Sequence, residues 1–350
     1  MSRASRKLEH LKYAIETGQT GVQGFENVHF VHQALPEVAL SQTSIATSIG
    51  GLQLSSPIII NAMTGGAYET VKINQQLAAL ANELNLVMAV GSQMSAIKNK
   101  EYRSTYQIVR GNNPKGIIFA NLGADATPEQ ANEAIEMIEA DGIQIHINVI
   151  QELTMPEGDR NFTGILDRLQ AIKESVKIPF IVKEVGFGMS KEVVFQLVKR
   201  GIKIIDVGGR GGTNFALIEN KRRLDPYPFF NDWGIHTATS ILEATTVNKT
   251  EIIATGGIQN SLHIAKAIGL GANAVGMSGM ILRKLVNEGF KQTLGYVNQL
   301  HHEIKLIMTS LGAVELLDLQ KKPMVILGET KNWCELRGIP INELARREFL

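Results

Sequence analysis

Ile252-Ile-Ala-Thr-Gly-Gly-Ile258, followed after one helix's length of chain by Ala274-Val-Gly-Met-Ser-Gly279, decides how the rest of the sequence is read. Each stretch is a short apolar run without alternation that ends in a small polar residue and glycine. Runs of this kind mark strands buried on both faces of a parallel sheet. Working back toward the N-terminus, six more fit the description: Ile58–Ala62, Val87–Val90, Ile117–Ala120, Ile143–Val149, Phe180–Val185 and Lys203–Val207. Their starts lie roughly 20 to 50 residues apart, room each time for one crossover helix.

The intervening segments carry helical patterns. Leu77, Leu80, Ala81 and Leu84 fall on one helix face. Thr127-Pro-Glu-Gln130 reads as a capping box with proline at the first helical position. Ser190 opens a helix over Val193, Val194, Leu197 and Val198, and Gly201 closes it. Eight such units predict an α/β fold of the (β/α)8, or TIM, barrel class, with N-terminal and C-terminal extensions. The chain 1–350 reads as one domain. Residues 1–56 form a pre-barrel segment, 57–283 the barrel, and 284–350 a final helix, expected over 284–320, with a tail. The longest gap between strands holds Asn220-Lys-Arg-Arg-Leu-Asp-Pro-Tyr-Pro-Phe-Phe-Asn231, too irregular for a helix alone and read as a lid or a partner contact.

Composition narrows the function class. With 35 basic and 34 acidic side chains in 350 residues, the formal charge is +1. That balance leaves no electrostatic footprint for nucleic acid or a membrane surface. The single cysteine, Cys334, excludes an internal disulfide framework and suits a reducing cytosol. The basic N-terminus has no apolar run behind it, and the charge-free stretch Val38–Tyr68 is broken by polar residues, proline and glycine pairs. Neither reads as a targeting or spanning segment, so a soluble, cytoplasmic protein is expected.

Barrel chemistry sits at the carboxyl ends of the strands. Hydrogen-bonding residues stand there in order: Thr64, Ser92-Gln93, Asn121, His146-Ile-Asn148 with Gln151-Glu152, Lys183, Gly208 to Thr213, Gly256-Gly257 and Ser278-Gly279. The turns Thr255-Gly-Gly-Ile258 and Met277-Ser-Gly279 offer converging backbone N–H groups with no side chain to block a phosphate. Lys183 interrupts an apolar strand, and a buried ammonium needs a partner. A flavin ring that turns negative on reduction is one; an ion pair with Glu184 or Glu152 is another, and a Schiff base a third. His146, Asn148, Gln151 and Glu152 are too poor in ligands to enclose zinc. One carboxylate instead suits Mg²⁺ held mainly by a substrate's phosphates. Arg6, Lys7 and His10 make a small basic cluster near the N-terminus.

Together Arg6-Lys-x-x-His10, Asn61-Ala-Met-Thr-Gly-Gly66, His146-Ile-Asn-x-x-Gln-Glu152, Gly209-Arg-Gly-Gly-Thr213 and Thr255-Gly-Gly-Ile258 resemble the type 2, FMN-dependent isopentenyl-diphosphate delta-isomerases. The resemblance runs in order from residue 3 to about residue 340. It implies FMN, Mg²⁺, and NADPH as the flavin's reductant. The implied reaction is the redox-neutral conversion of isopentenyl to dimethylallyl diphosphate in isoprenoid biosynthesis, by a homo-oligomer of four or eight chains. Ala62, Met63 and Thr64 would line the flavin; Ser92, Asn121, Lys183 and Thr213 would hydrogen-bond it; Gly256, Gly257, Ile258, Ser278 and Gly279 would hold its phosphate. Arg6, Lys7, His10, Ser92, Gln93 and Gln151 would bind substrate, and Glu152 the Mg²⁺. Gln151, His146 and Asn148 would stand at the reacting hydrocarbon. Flavin N5 would serve as acid and base there, because no side chain in the set is acidic enough to protonate an alkene. Two alternatives remain: an FMN oxidoreductase of the 2-hydroxy-acid oxidase type, and a non-catalytic flavin-binding barrel. The first lacks a histidine beside Arg210, and Cys334 lies outside the barrel, where it cannot serve nucleotide oxidation.

Overall fold

The structure, a computed structural model, describes Tyr13 and residues 21–347. Arg6, Lys7 and His10 lie outside the described residues. The pre-barrel segment contributes β1 (Val28–Phe30) and a hairpin of β2 (Thr47–Ile49) and β3 (Leu52–Leu54). Eight strands then follow: β4 (Ile58–Ile60), β5 (Val87–Ala89), β6 (Ile118–Gly123), β7 (Gly142–Ile147), β8 (Phe180–Glu184), β9 (Ile204–Asp206), β10 (Glu251–Ala254) and β11 (Ala274–Met277). They close in sequence order into a parallel barrel, β11 pairing back onto β4. Each predicted run falls on one of these strands.

Alternation along the strands sorts their side chains into layers. Ile58 and Ile60, Ile143 and Ile145, and Val182 and Ile205 face outward to the helices. Ile59, Val87, Phe119, Ile181, Ile204 and Ile253 face inward and meet Ile49 and Leu54 of the β2–β3 hairpin. The hairpin therefore plugs the amino-terminal mouth. Gly50 N–H donates to the Glu251 carboxylate at 2.7 Å and Thr47 Oγ1 to Asn273 O at 2.9 Å, which anchors the plug to the rim. Each large apolar side chain in this layer contributes on the order of 1.5–3 kcal/mol by leaving water. One inward position further along, six of the eight strands turn polar, with Asn61, Asn121, Gln144, Lys183, Asp206 and Thr255, all buried.

The helices form where their patterns place them. The stripe Leu77, Leu80 and Ala81 is buried on the helix Val71–Leu84. Thr127 and Gln130 close their capping box on Pro128–Ile138. The final helix departs from expectation. It comprises two helices, Gly279–Glu288 and Phe290–Ser310, because Gly289 stands between them at φ 89°, ψ 176°. A short 3-10 turn, Leu316–Lys321, replaces its last stretch. Beyond it β12 (Met324–Ile326) pairs antiparallel with β1, Val28 opposite Ile326, so the two extensions are joined to each other. The gap between β9 and β10 is also more ordered than its composition suggests, holding the helix Phe215–Lys221 and a 3-10 turn at Pro228–Phe230.

Candidate active site

Above the polar layer lies a cavity of about 710 Å³. Ala62, Met63, Thr64, Ser92, Asn121, His146, Asn148, Gln151, Glu152, Lys183, Thr213, Gly256, Gly257, Ile258 and Ser278 all line it. Residues at or just beyond the end of every barrel strand thus converge, as alternation requires. Gly279 sits just behind Ser278, as the first residue of the helix Gly279–Glu288. Gln93 is a correction. It is fully buried, its Oε1 accepts the Asn121 backbone N–H at 3.0 Å, and its Nε2 donates to Ala134 O at 2.9 Å. With both ends of its amide engaged in supporting β6, it is turned away from the cavity.

The turns after β10 and β11 have the character of a phosphate cradle. Gly257 stands at φ 76°, and a Cβ there would lie 2.1 Å from Gly211 O, so only glycine fits between the two loops. Among the described residues, the backbone N–H groups of Gly257 and Ile258 make no hydrogen bond to the protein. Unused donors facing a cavity at the end of a barrel suit an anion.

Lys183 takes neither Glu184 nor Glu152, the two carboxylates named as its alternative ion-pair partners. Its register opposite Asp206 on β9 brings Nζ to 3.1 Å from Asp206 Oδ2, and it also donates to Glu184 O at 3.0 Å and Thr255 Oγ1 at 3.3 Å. Asp206 is wholly enclosed. The Glu184 side chain leaves the other face of β8. There it accepts N–H groups from Gly186 at 2.7 Å, Phe187, and Gly188 at 3.1 Å. Burial pushes its carboxyl up to about 7 against those bonds and the nearby Lys183. An ammonium compensated from below and reaching the cavity can meet a group that gains negative charge.

The helix Val149–Thr154 carries the other cluster. Asn148 at its N-cap donates to Gln151 Oε1 at 3.3 Å and to Glu152 Oε1 at 3.0 Å. Glu152 Oε2 accepts the Asp159 N–H at 2.8 Å. Gln151 Nε2 lies 3.4 Å from Glu219 Oε1 on the helix Phe215–Lys221. Glu219 is fully buried and paired with Arg222, which reaches Glu157 at 2.7 Å. The "lid" segment is thus a wall that braces Gln151. Among the described residues no three His, Cys, Asp or Glu side chains gather as a metal cage. Glu152 as a single cavity carboxylate fits a cation whose other ligands come with the substrate. Asp206 and Glu219 were missed from sequence. Asp206 carries a readable signal, a charge at an inward position of an apolar strand, whereas Glu219 sits in a segment without periodicity.

Fold and site together define a (β/α)8-barrel enzyme built around a phosphate-bearing cofactor. The chain is similar in fold to a lactate oxidase of Pediococcus acidilactici, with a TM-score of 0.68 at 15% identity over 91% of this chain and 87% of that one. Flavocytochrome b2 gives 0.66 at 15% identity, over 89% and 81%. The profile of the FMN-dependent dehydrogenase family matches residues 151–326. In sequence, an isopentenyl-diphosphate delta-isomerase of Geobacillus sp. (strain WCH70) is 53% identical over 340 residues, covering 97% of each chain. One of Bacillus cereus (strain B4264) is 54% identical over 349 residues, covering 99% of this chain and 100% of the relative. This chain belongs to the FMN-dependent isopentenyl-diphosphate delta-isomerase family.

Proposed function

We propose that this chain converts isopentenyl diphosphate into dimethylallyl diphosphate with FMN and Mg²⁺. One observation carries the reading. A single cavity joins a phosphate cradle and the compensated Lys183 to the His146, Asn148, Gln151 and Glu152 cluster. Backbone N–H groups at 256–258 and 278–279 would hold the FMN phosphate. Thr64, Ser92, Asn121, Lys183 and Thr213 would serve its ring, with Ala62 and Met63 beside it. Reduced flavin, when bound, supplies an acid and base at a ring nitrogen and an electron-rich face beside a developing tertiary carbocation.

The alkene gains a proton at its terminal carbon and loses one from the carbon next to the diphosphate-bearing methylene, so no net oxidation occurs. Lys183, tied to Asp206, keeps a fixed positive charge at the cavity floor. Gln151, an amide that does not titrate, positions the hydrocarbon, and Glu219 holds its Nε2 in place. Glu152 would bind Mg²⁺, and Arg6, Lys7 and His10 the diphosphate. NADPH as the flavin's reductant, a cytoplasmic location and a homo-oligomer of four or eight chains belong to the same reading. The exposed Leu224, Phe229 and Trp233 between β9 and β10 support association between copies. No helix among the described residues is long and apolar enough to cross a membrane. Against hydroxy-acid oxidation, Arg210 does not line the cavity and instead pairs with Asp232 at 3.0 Å.

The test is an anaerobic incubation in D₂O of protein, FMN, NADPH, Mg²⁺ and isopentenyl diphosphate, followed by NMR of the methyl region. A dimethylallyl methyl pair carrying deuterium, with no proportional loss of NADPH, is the expected result. No turnover from protein that still binds and reduces FMN would refute the reading.

A further inference from the structure

Beneath the cavity floor, two buried amides, Asn61 and Gln144, serve no step described above. They lie on a line between Asp206 and His146. We propose that Asp206, Asn61, Gln144 and Asn121 form a one-way hydrogen-bond chain that holds His146 as its Nδ1–H tautomer and makes Nε2 the acceptor.

The direction of every link follows from its two ends. Asp206 Oδ2 faces the Lys183 ammonium at 3.1 Å, and Oδ1 accepts the Gly208 N–H at 3.2 Å and the Thr255 hydroxyl. With donors on both oxygens the carboxylate only accepts, so Asn61, 2.7 Å away, presents Nδ2. An independent anchor agrees: the Ala62 backbone N–H, which can only donate, lies 2.8 Å from Asn61 Oδ1. Gln144 approaches that same oxygen at 3.0 Å and must therefore present Nε2. Its Oε1 then faces Asn121 at 3.3 Å, which must present Nδ2. The remaining atom, Asn121 Oδ1, stands 3.0 Å from His146 Nδ1, and that nitrogen must carry the proton.

Asn61, Gln144, Asn121 and Asp206 are each no more than 2% exposed, so solvent has no access to reverse a link. The opposite tautomer would set two acceptors, Nδ1 and Asn121 Oδ1, against each other at 3.0 Å, leaving both unsatisfied. A neutral imidazole has one N–H. The ring's Nε2 is therefore its hydrogen-bond acceptor. Every amide in the chain turns its carbonyl end toward the ring. Asp206, Asn61 and Gln144 are positioning residues that act through His146. The tautomer stands apart from the isomerase reading, whereas its effect on turnover rests on that reading.

The experiment uses full-length protein labelled with 15N-histidine, at a pH where the ring is neutral. The His146 signals are identified by their loss in His146→Gln. Wild type is expected to show the Nδ1–H pattern of ring nitrogen shifts. Gln144→Met, close in shape but unable to bond, should move His146 toward Nε2–H. It should also lower kcat by about 10- to 100-fold with KM and FMN binding unchanged. An Nε2–H pattern in wild type overturns the proposal, and that spectrum needs no variant to fold. The Nδ1–H pattern persisting in Gln144→Met also overturns it. A wild type inactive on isopentenyl diphosphate but showing Nδ1–H rejects the isomerase reading and leaves the chain standing.

Discussion

Replacing Glu243 by alanine tests how the C-terminal extension is held to the barrel. Glu243 lies on the helix Thr237–Thr245 with its side chain fully enclosed. Its carboxylate accepts Trp333 Nε1–H at 2.7 Å, Arg337 Nε–H at 2.9 Å, Arg337 Nη2–H at 3.1 Å and the Lys191 backbone N–H at 2.9 Å. Burial opposes its charge, but the Arg337 guanidinium and the other donors hold its pKa below the usual 4.5. Breaking a buried pair costs about 3–5 kcal/mol. The lower end applies here, because Arg337 is one-third exposed at 33% and keeps its second partner, Glu192. At roughly 2 °C per kcal/mol for a chain of this size, Glu243→Ala should lower Tm by about 6 °C. Glu243→Gln, whose single amide oxygen can still accept from Trp333 or from Lys191 but not from both, should lose less than the alanine variant. The sign with pH is set by the depressed pKa. The stabilisation is complete above pH 4.5 and is lost as pH falls through the folded-state pKa, so variant and wild type converge in acid. Calorimetry gives Tm, and hydrogen exchange reports protection of the helix Gly328–Leu336. A loss below about 0.5 kcal/mol with unchanged protection there would refute the reasoning.

Other measurements probe the cradle, a buried acid and the lone thiol. Gly257→Ala, forced to keep φ 76° with its Cβ on Gly211 O, should weaken FMN binding at least tenfold, about 1.4 kcal/mol, in a fluorescence titration; unchanged affinity would remove the cradle. Glu184, pushed up to about 7, keeps a proton in the folded state that the unfolded chain has lost above 4.5, so its contribution to stability falls as pH rises from 4.5 to 7. Glu184→Gln should flatten the stability profile in that window, seen by denaturant titration at several pH values. Burial, with Glu243 and Glu335 nearby, pushes the Cys334 thiol up to about 12. A thiol reagent at pH 8 should leave the folded protein unlabelled and modify the one cysteine on unfolding.

The barrel was legible because strands buried on both faces leave continuous apolar runs, and because Thr127 and Gln130 form a local device that needs no tertiary context. The cavity lining was legible for a related reason: alternation turns the residue just past each apolar run inward. Pairing between strands is a different kind of fact. Lys183 and Asp206 meet through the register of β8 and β9, which no one-dimensional pattern states, so of the ion-pair alternatives weighed for Lys183 neither Glu184 nor Glu152 supplies the carboxylate. Gln93 was misread because its neighbour Ser92 does line the cavity, while its own amide turns back to support β6. The break at Gly289 was hidden by helical periodicity on both sides of it.

The pairing of β1 with β12 has a consequence in time. β1 leaves the ribosome about 300 residues ahead of the strand it needs. At about 5–20 residues per second, that is a wait of roughly 15–60 s during synthesis. Throughout it, Val28–Phe30 is an unclaimed edge while the eight barrel strands emerge and close. The first strand among the described residues is thus among the last to be satisfied. A release cut short before Met324 would strand it permanently, leaving a closed barrel with an adhesive flank.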